Sequence, residues 1–158
     1  MFHRFQHENE YYPALTRLPL DVRRKLDLVG VKIALKDWLA FSLEERAVLC
    51  HLPTESLEEQ HVFHAYLDFL TRKYLGLPVQ RTEPMSVSLW NGETVPESVR
   101  LKSAEFSTAV TPEEWAQWHH FERYALYKTA TSSNQPEAFP QVLEDLRGRR
   151  KRQSKAGD

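Results

Sequence analysis

The two halves of this 158-residue chain match each other at a constant offset of 77 positions. Trp38 corresponds to Trp115, and each tryptophan is followed at the same distance by a Glu-Arg pair. Further identical pairs are Pro19 with Pro96, Val22 with Val99, Arg23 with Arg100, Lys25 with Lys102, and Thr54 with Thr131. No gap is needed in this alignment, and one half alone has little material for a core. The pattern therefore predicts two related units that pack together, with the paired tryptophans as buried anchors.

Helix-start and helix-stop residues indicate that both units are helical. Pro19 suits the first turn of a helix, and Gly30 suits its C-terminal cap. Ser42 is followed by glutamate at the capping-box position, and Thr111 precedes Pro-Glu-Glu, which is a strong start signal. Thr54 is the predicted cap of the longest helix, at about residues 55–75. The fold class predicted is all-α, a single bundle of two multi-helix repeats related by a pseudo-twofold axis.

The same signals divide the chain into segments. Short apolar stretches near 31–35 and 85–89 also suit strands, but neither has an obvious pairing partner, so we expect little sheet. The predicted segments are an N-terminal arm (1–17), a helical domain (18–146) and a basic, disordered tail (147–158). Within the helical domain we expect repeat one at about 18–75, a linker at 76–94 and repeat two at about 95–146.

Composition narrows the functional class. Only 5 glycines are present, which leaves little material for a phosphate-binding loop, and no apolar run is long enough to span a membrane. The first residues carry no apolar signal segment. A single cysteine, Cys50, permits no internal disulfide and suits a reducing compartment, where we expect it to be a buried, inert thiol. These features predict a soluble, cytoplasmic protein.

Charge is unevenly distributed along the chain. Residues 147–158 carry a formal charge of +5, so the remainder carries −6 within a total of −1. An acidic body is not typical of a nucleic-acid-binding fold. The basic tail could contact nucleic acid or an acidic partner, although such tails usually act as solubilising ends.

Basic residues at matching positions in the two halves are the ligand-binding candidates: Arg23, Lys25, Arg46, Arg100, Lys102 and Arg123. The structural interpretation is that they form inter-helix ion pairs with glutamates such as Glu45 and Glu122. The functional alternative is that they line a groove between the repeats and hold an anion.

Histidines on the longest helix are the metal candidates. His61, His64 and Asp68 lie at i, i+3 and i+7, so they share one helix face and present a possible three-ligand set for zinc, iron or manganese. A solvent-exposed helix face also collects such sets by accident. Glu58 with His61 forms one Glu-x-x-His motif, but di-iron bundles need two, and no second is present.

Signatures of catalysis are not recognisable. The chain has no Gly-x-Ser-x-Gly elbow, Walker loop, dinucleotide fingerprint or Cys-x-x-Cys pair. Cys50 and His51 are adjacent, and neighbouring side chains on a helix point in different directions. We therefore expect no cofactor and action through binding rather than catalysis.

Several stretches resemble the conserved nitrate-reductase-associated proteins. These stretches are 18–33 (LPLDVRRKLDLVGVKI), 38–46 (WLAFSLEER), 111–115 (TPEEW) and 121–128 (FERYALYK), and the resemblance covers about residues 5–146. The Pro-x-x-Val-Arg-x-Lys-Leu-Asp pattern in the first stretch is its most specific part. The family has no established activity or catalytic residues to carry over.

The resemblance implies an accessory function. We expect a non-enzymatic, partner-binding protein of nitrate assimilation, with nitrate reductase or its assembly machinery as the partner. The alternatives are a small-ligand or anion sensor that binds between the repeats, and a metal-dependent enzyme.

Overall fold

Most of the chain is helical in the computed structural model, which describes residues 1–157. Eight α-helices lie in this part of the chain: α1 Leu20–Val29, α2 Leu35–Ala40, α3 Leu43–His51, α4 Leu57–Leu75, α5 Glu97–Phe106, α6 Pro112–Gln117, α7 His120–Thr131 and α8 Ala138–Ala156. Short 3-10 helices at Gln6–Glu8 and Val87–Trp90 complete the helical content. The predicted helical class is confirmed.

The chain divides into two compact units. The first consists of Met1–Arg4 and Glu8–Ser86, and the second of Phe5–His7 and the chain from Val87 onward. The boundary between Ser86 and Val87 falls inside the segment predicted as a linker, 76–94. That segment also contributes to a core, since Trp90 is only 2% exposed.

In the first unit, the end of α1 is fixed by a short sheet. Gly30 adopts φ 80° and stops the helix, and its N–H donates to the carbonyl of Leu26. Strand β1 (Val31–Lys32) then pairs antiparallel with β2 (Gln80–Arg81). The Thr82 N–H donates to the Gly30 carbonyl oxygen at 2.9 Å, which holds the loop after β2 against the end of α1.

The core of the first unit forms around Trp38, which is fully buried. Its indole Nε1 donates a hydrogen bond of 2.8 Å to the carbonyl oxygen of Leu15, so the polar edge of the ring is satisfied inside the core. Other buried side chains come from α3 and α4: Leu49, Cys50, Phe63, Leu67 and Leu70. Cys50 is buried, as predicted, and burial raises the pKa of its thiol to about 12.

The second unit has its own aromatic core. Trp115 is fully buried and its Nε1 donates to the carbonyl oxygen of Asn91 at 2.6 Å. Trp90 meets Tyr124 edge to face, with the ring centroids 5.1 Å apart. Both tryptophans predicted as core anchors, Trp38 and Trp115, are therefore buried.

Two local predictions were wrong, the cap of α4 and the state of the basic tail. The cap of α4 is Ser56, whose hydroxyl accepts from the Glu59 N–H, and Thr54 is instead buried two residues earlier. The sheet is confined to the two-residue ladder of β1 and β2, in line with the expectation of little sheet, although the partner of Val31–Lys32 lies at Gln80–Arg81 and not at 85–89. Helix α8 continues to Ala156, so residues 147–156, expected to be disordered, are helical. Within residues 1–157, none of the helices is both long and apolar enough to cross a bilayer.

Candidate functional site

A pocket of about 510 Å³ opens in the first unit beside α1, α4 and the β2 loop. We call it the α1–α4 pocket. One part of its lining is apolar and comprises Leu28, Val29, Leu57 and Pro84; the other part is polar and comprises Gln60, His61, His64 and Arg81. The volume lies within the range of small-molecule sites.

Helix periodicity explains how α4 lines this pocket. Leu57, Gln60, His61 and His64 lie at i, i+3, i+4 and i+7, so the helix presents them on one face. The buried face of α4 is different and carries residues such as Phe63 and Leu67. The helix thus divides its surface between the core and the pocket.

The opposite wall depends on Gly30. A Cβ at this position would lie 2.7 Å from Cγ of Pro84 and 2.9 Å from the carbonyl oxygen of Thr82. Only glycine permits this close approach and the positive φ together. The approach brings Pro84 beside the C-terminal end of α1, where Leu28 and Val29 lie.

The polar part of the lining contains an unsatisfied group. Nε2 of His64 is enclosed and has no hydrogen-bond partner among residues 1–157. An enclosed polar atom without a partner costs roughly 1–3 kcal/mol. Arg81 is exposed on β2 and supplies a permanent positive charge, and no carboxylate lines the pocket.

The predicted metal ligands are only partly brought together. His61 and His64 both line the pocket, but Asp68 is used elsewhere: its carboxylate accepts from the Val79 N–H at 2.9 Å and from Arg72 Nε at 2.7 Å. These two hydrogen bonds lower the pKa of Asp68. In the part of the chain that the structure describes, no group of three or more His, Cys, Asp or Glu is placed to hold a metal ion.

Four of the six basic candidates donate to backbone carbonyls. Arg46 Nε donates to Phe41 at 3.2 Å, and Arg123 Nε donates to Trp90 at 2.9 Å. Arg23 Nε donates to the Leu18 carbonyl at 3.2 Å. The fourth is Lys25, whose Nζ donates to the carbonyls of Met1 at 3.0 Å and Cys50 at 2.5 Å.

The other two basic candidates lie on α5. Arg100 is exposed and pairs with Glu97 at 3.7 Å, and Lys102 is half-buried. The expected partner Glu45 pairs with Lys73 at 3.0 Å rather than with one of the six candidates. The anion-binding role of the six residues stays a prediction.

Sequence reasoning missed Arg81 and Gln60 as pocket residues. Arg81 lies in the segment predicted as an irregular linker, and its pairing with Val31 joins residues far apart in the sequence. Gln60 carried a usable signal, because it stands four residues before His64 and therefore lies on the same face of a clearly predicted helix.

The family model of conserved nitrate reductase-associated proteins matches residues 4–146. The chain belongs to this family. No curated protein and no solved structure matches it.

In this member of the nitrate reductase-associated family, the matched residues include the complete α1–α4 pocket. They also include both buried tryptophans, Trp38 and Trp115. The basic part of α8, from Arg147 to its end, lies beyond the match.

Proposed function

We propose that this protein is a non-enzymatic accessory protein of nitrate assimilation that acts by binding nitrate reductase. The family description links the chain to that enzyme. The observation that supports a binding role is an apolar face on α4, where Val62 and Phe69 are each 56% exposed. Large apolar side chains grouped on one helix face are typical of protein-binding surfaces.

This face is distinct from the other faces of α4. Val62 and Phe69 are seven residues apart and therefore share one direction, with the exposed Ala65 between them. At about 100° per residue, they point roughly 130° away from the residues that line the α1–α4 pocket. We call Val62, Ala65 and Phe69 the α4 face.

Co-purification tests the proposal. Nitrate reductase should be recovered with the native protein from nitrate-grown cells, and a Val62→Ser/Phe69→Ser variant should lose it. Leu101→Ser is the matched control, because Leu101 is an equally exposed apolar residue, 53%, on α5. Recovery of only an assembly protein of the reductase would move the proposal to that partner class. A double variant that binds as well as the wild type would overturn the α4 face as the binding surface.

We also propose that the two units arose by duplication. Helices α1 and α5 begin and end 77 residues apart, as do α2 and α6, and α3 and α7 begin at the same spacing. The side chains of Arg46 and Arg123 each donate to the carbonyl five residues earlier, in Phe41 and Trp118. Superposing residues 20–51 on 97–128 in an experimental structure tests this: the helices should overlay in order and direction, and a reversed helix would contradict it.

The alternative of an anion sensor that uses the six basic residues is less well supported. Lys25, Arg46 and Arg123 give their hydrogen bonds to backbone carbonyls, so these donors serve the fold. The metal-dependent enzyme is the least supported alternative, because Asp68 is engaged by Val79 and Arg72.

A further inference from the structure

We propose that the α1–α4 pocket binds a small organic carboxylate with an apolar body. This inference is independent of the proposed partner, since the pocket and the α4 face occupy different sides of the helix. It starts from the division of the lining into an apolar part and a polar part.

The charge of the polar part selects an anion. Arg81 is permanently charged, His61 and His64 carry imidazole N–H donors, and the Gln60 amide keeps one N–H besides the one that it donates to the Thr54 carbonyl. No Asp or Glu lines the pocket. A cation would meet only repulsion from the guanidinium. A metal ion would find two imidazoles without a third protein ligand, because no such cluster exists among residues 1–157.

His64 marks where the anionic group lies. Its Nε2 lacks a partner in the described chain but is closed to solvent, so a ligand in the pocket reaches this atom only if the imidazole ring turns towards it. A carboxylate has two oxygens that accept from a histidine N–H and from a guanidinium at the same time. Binding at Arg81, with the His64 ring turned into the pocket, would therefore satisfy a group that the free protein leaves unsatisfied.

The apolar part and the volume exclude a simple inorganic anion as the best ligand. Sulfate or nitrate would fill only a small part of about 510 Å³ and would leave Leu28, Val29 and Leu57 in contact with water. A carboxylate with an aliphatic or aromatic body would cover these side chains and gain the hydrophobic contribution as well.

Titration of the protein with small carboxylates, monitored by isothermal titration calorimetry and by amide NMR, tests the assignment. The probes are hexanoate and phenylacetate, with hexanamide and phenylacetamide as neutral analogues of the same shape and sulfate as an inorganic anion. We expect saturable binding of a carboxylate, at least about tenfold weaker binding of its amide, and no comparable binding of sulfate.

Two variants locate the site. Arg81→Gln should weaken carboxylate binding about tenfold or more, whereas Lys32→Gln, in the partner strand but outside the pocket, should leave it unchanged. His64→Leu should weaken binding without lowering the thermal unfolding midpoint, because it removes an unsatisfied group. If that variant fails to fold, Arg81→Gln alone tests the proposal, because Arg81 is exposed and its replacement leaves the core unchanged.

Three results would overturn the proposal. They are the absence of saturable binding by either carboxylate, equal binding of the amides or of sulfate, and carboxylate binding that Arg81→Gln does not change.

Discussion

Nζ of Lys25 lies 2.5 Å from the carbonyl oxygen of Cys50, in a site where the lysine side chain is fully buried. Its nearest carboxylate is that of Asp21, 3.9 Å away, and Asp21 pairs more closely with Arg24 at 2.9 Å. Burial lowers the pKa of Lys25 to about 8; the attraction of Asp21 opposes this shift and the repulsion of Arg24 adds to it. The lysine is thus held by hydrogen bonds in a place that disfavours its charge.

This burial predicts a stability that rises with pH. The unfolded chain keeps Lys25 protonated to its ordinary pKa of 10.5, so between pH 8 and 10.5 it binds more protons than the folded chain. The free energy of unfolding should therefore increase, by about 1 kcal/mol from pH 8 to pH 9. Urea unfolding at both pH values measures the increase.

Lys25→Met is the variant that assigns the effect. It should remove the rise between pH 8 and 9, while Lys36→Met, an exposed lysine on α2, should retain it. Cys50 acts in the opposite direction as the pH approaches and passes 9.0, the ordinary pKa of the thiol, because burial raises its pKa in the folded chain; the comparison therefore ends at pH 9. An equal rise in the Lys25 variant would assign it to another group.

Trp115 and Trp118 differ in whether the indole N–H is satisfied. Trp115 donates to Asn91, whereas Nε1 of Trp118 is buried without a partner in residues 1–157. Trp115→Phe should lower the free energy of unfolding by about 1 kcal/mol more than Trp118→Phe, because only the first leaves the carbonyl of half-buried Asn91 without its donor. Urea titration followed by circular dichroism measures both. Equal losses would show that ring volume, not the hydrogen bond, sets the cost.

Glu45 predicts the acid sensitivity of the first unit. Burial acts to raise the pKa of its carboxyl, but hydrogen bonds from Tyr74, Ser42 and Lys73 outweigh this and lower the pKa to about 2. A carboxyl whose folded pKa is depressed stabilises the fold above pH 4.5, and this contribution is lost as the pH falls towards 2. Glu45→Gln should lower the free energy of unfolding at pH 7 by about 1–2 kcal/mol.

The free energy of unfolding between pH 4.5 and pH 2 provides a second test of Glu45. The difference between wild type and Glu45→Gln should shrink from pH 4.5 to pH 2, when the wild-type carboxyl becomes protonated. Glu44→Gln, at the exposed neighbouring position, should behave as the wild type. A difference that stays constant down to pH 2 would contradict the hydrogen-bonded, ionised carboxyl.

Helix boundaries were predictable where a local signal decides them. Gly30 and Ser42 act through their own backbone or side chain, so the sequence alone places the end of α1 and the start of α3. The cap of α4 was misassigned although a local rule favours Ser56, which has glutamate at the third following position, over Thr54, which has leucine there.

Features that depend on distant contacts were not predictable. The periodicity placed His61, His64 and Asp68 on one face, but the Val79 N–H, eleven residues beyond Asp68, takes that carboxylate from the set. The pocket wall needs Arg81 and Pro84 beside α1, which follows from a two-residue ladder too short to recognise. The basic end of α8 lacks an apolar pattern, yet arginine and lysine are good helix formers.

The close approach at Gly30 predicts an unequal response of two glycines. Gly30 and Gly76 both end helices with positive φ, 80° and 69°, but only Gly30 has neighbours within 4 Å of an added Cβ. Gly76→Ala should cost about 1 kcal/mol of backbone strain, and Gly30→Ala should cost about 1–3 kcal/mol more because Pro84 and the Thr82 carbonyl must move. Thermal and urea unfolding of the two variants measure the difference.

Since Pro84 also lines the α1–α4 pocket, Gly30→Ala should weaken carboxylate binding while Gly76→Ala leaves it intact. Equal stability losses in the two variants would show that the loop after β2 yields without resistance, and that the pocket wall does not depend on this contact.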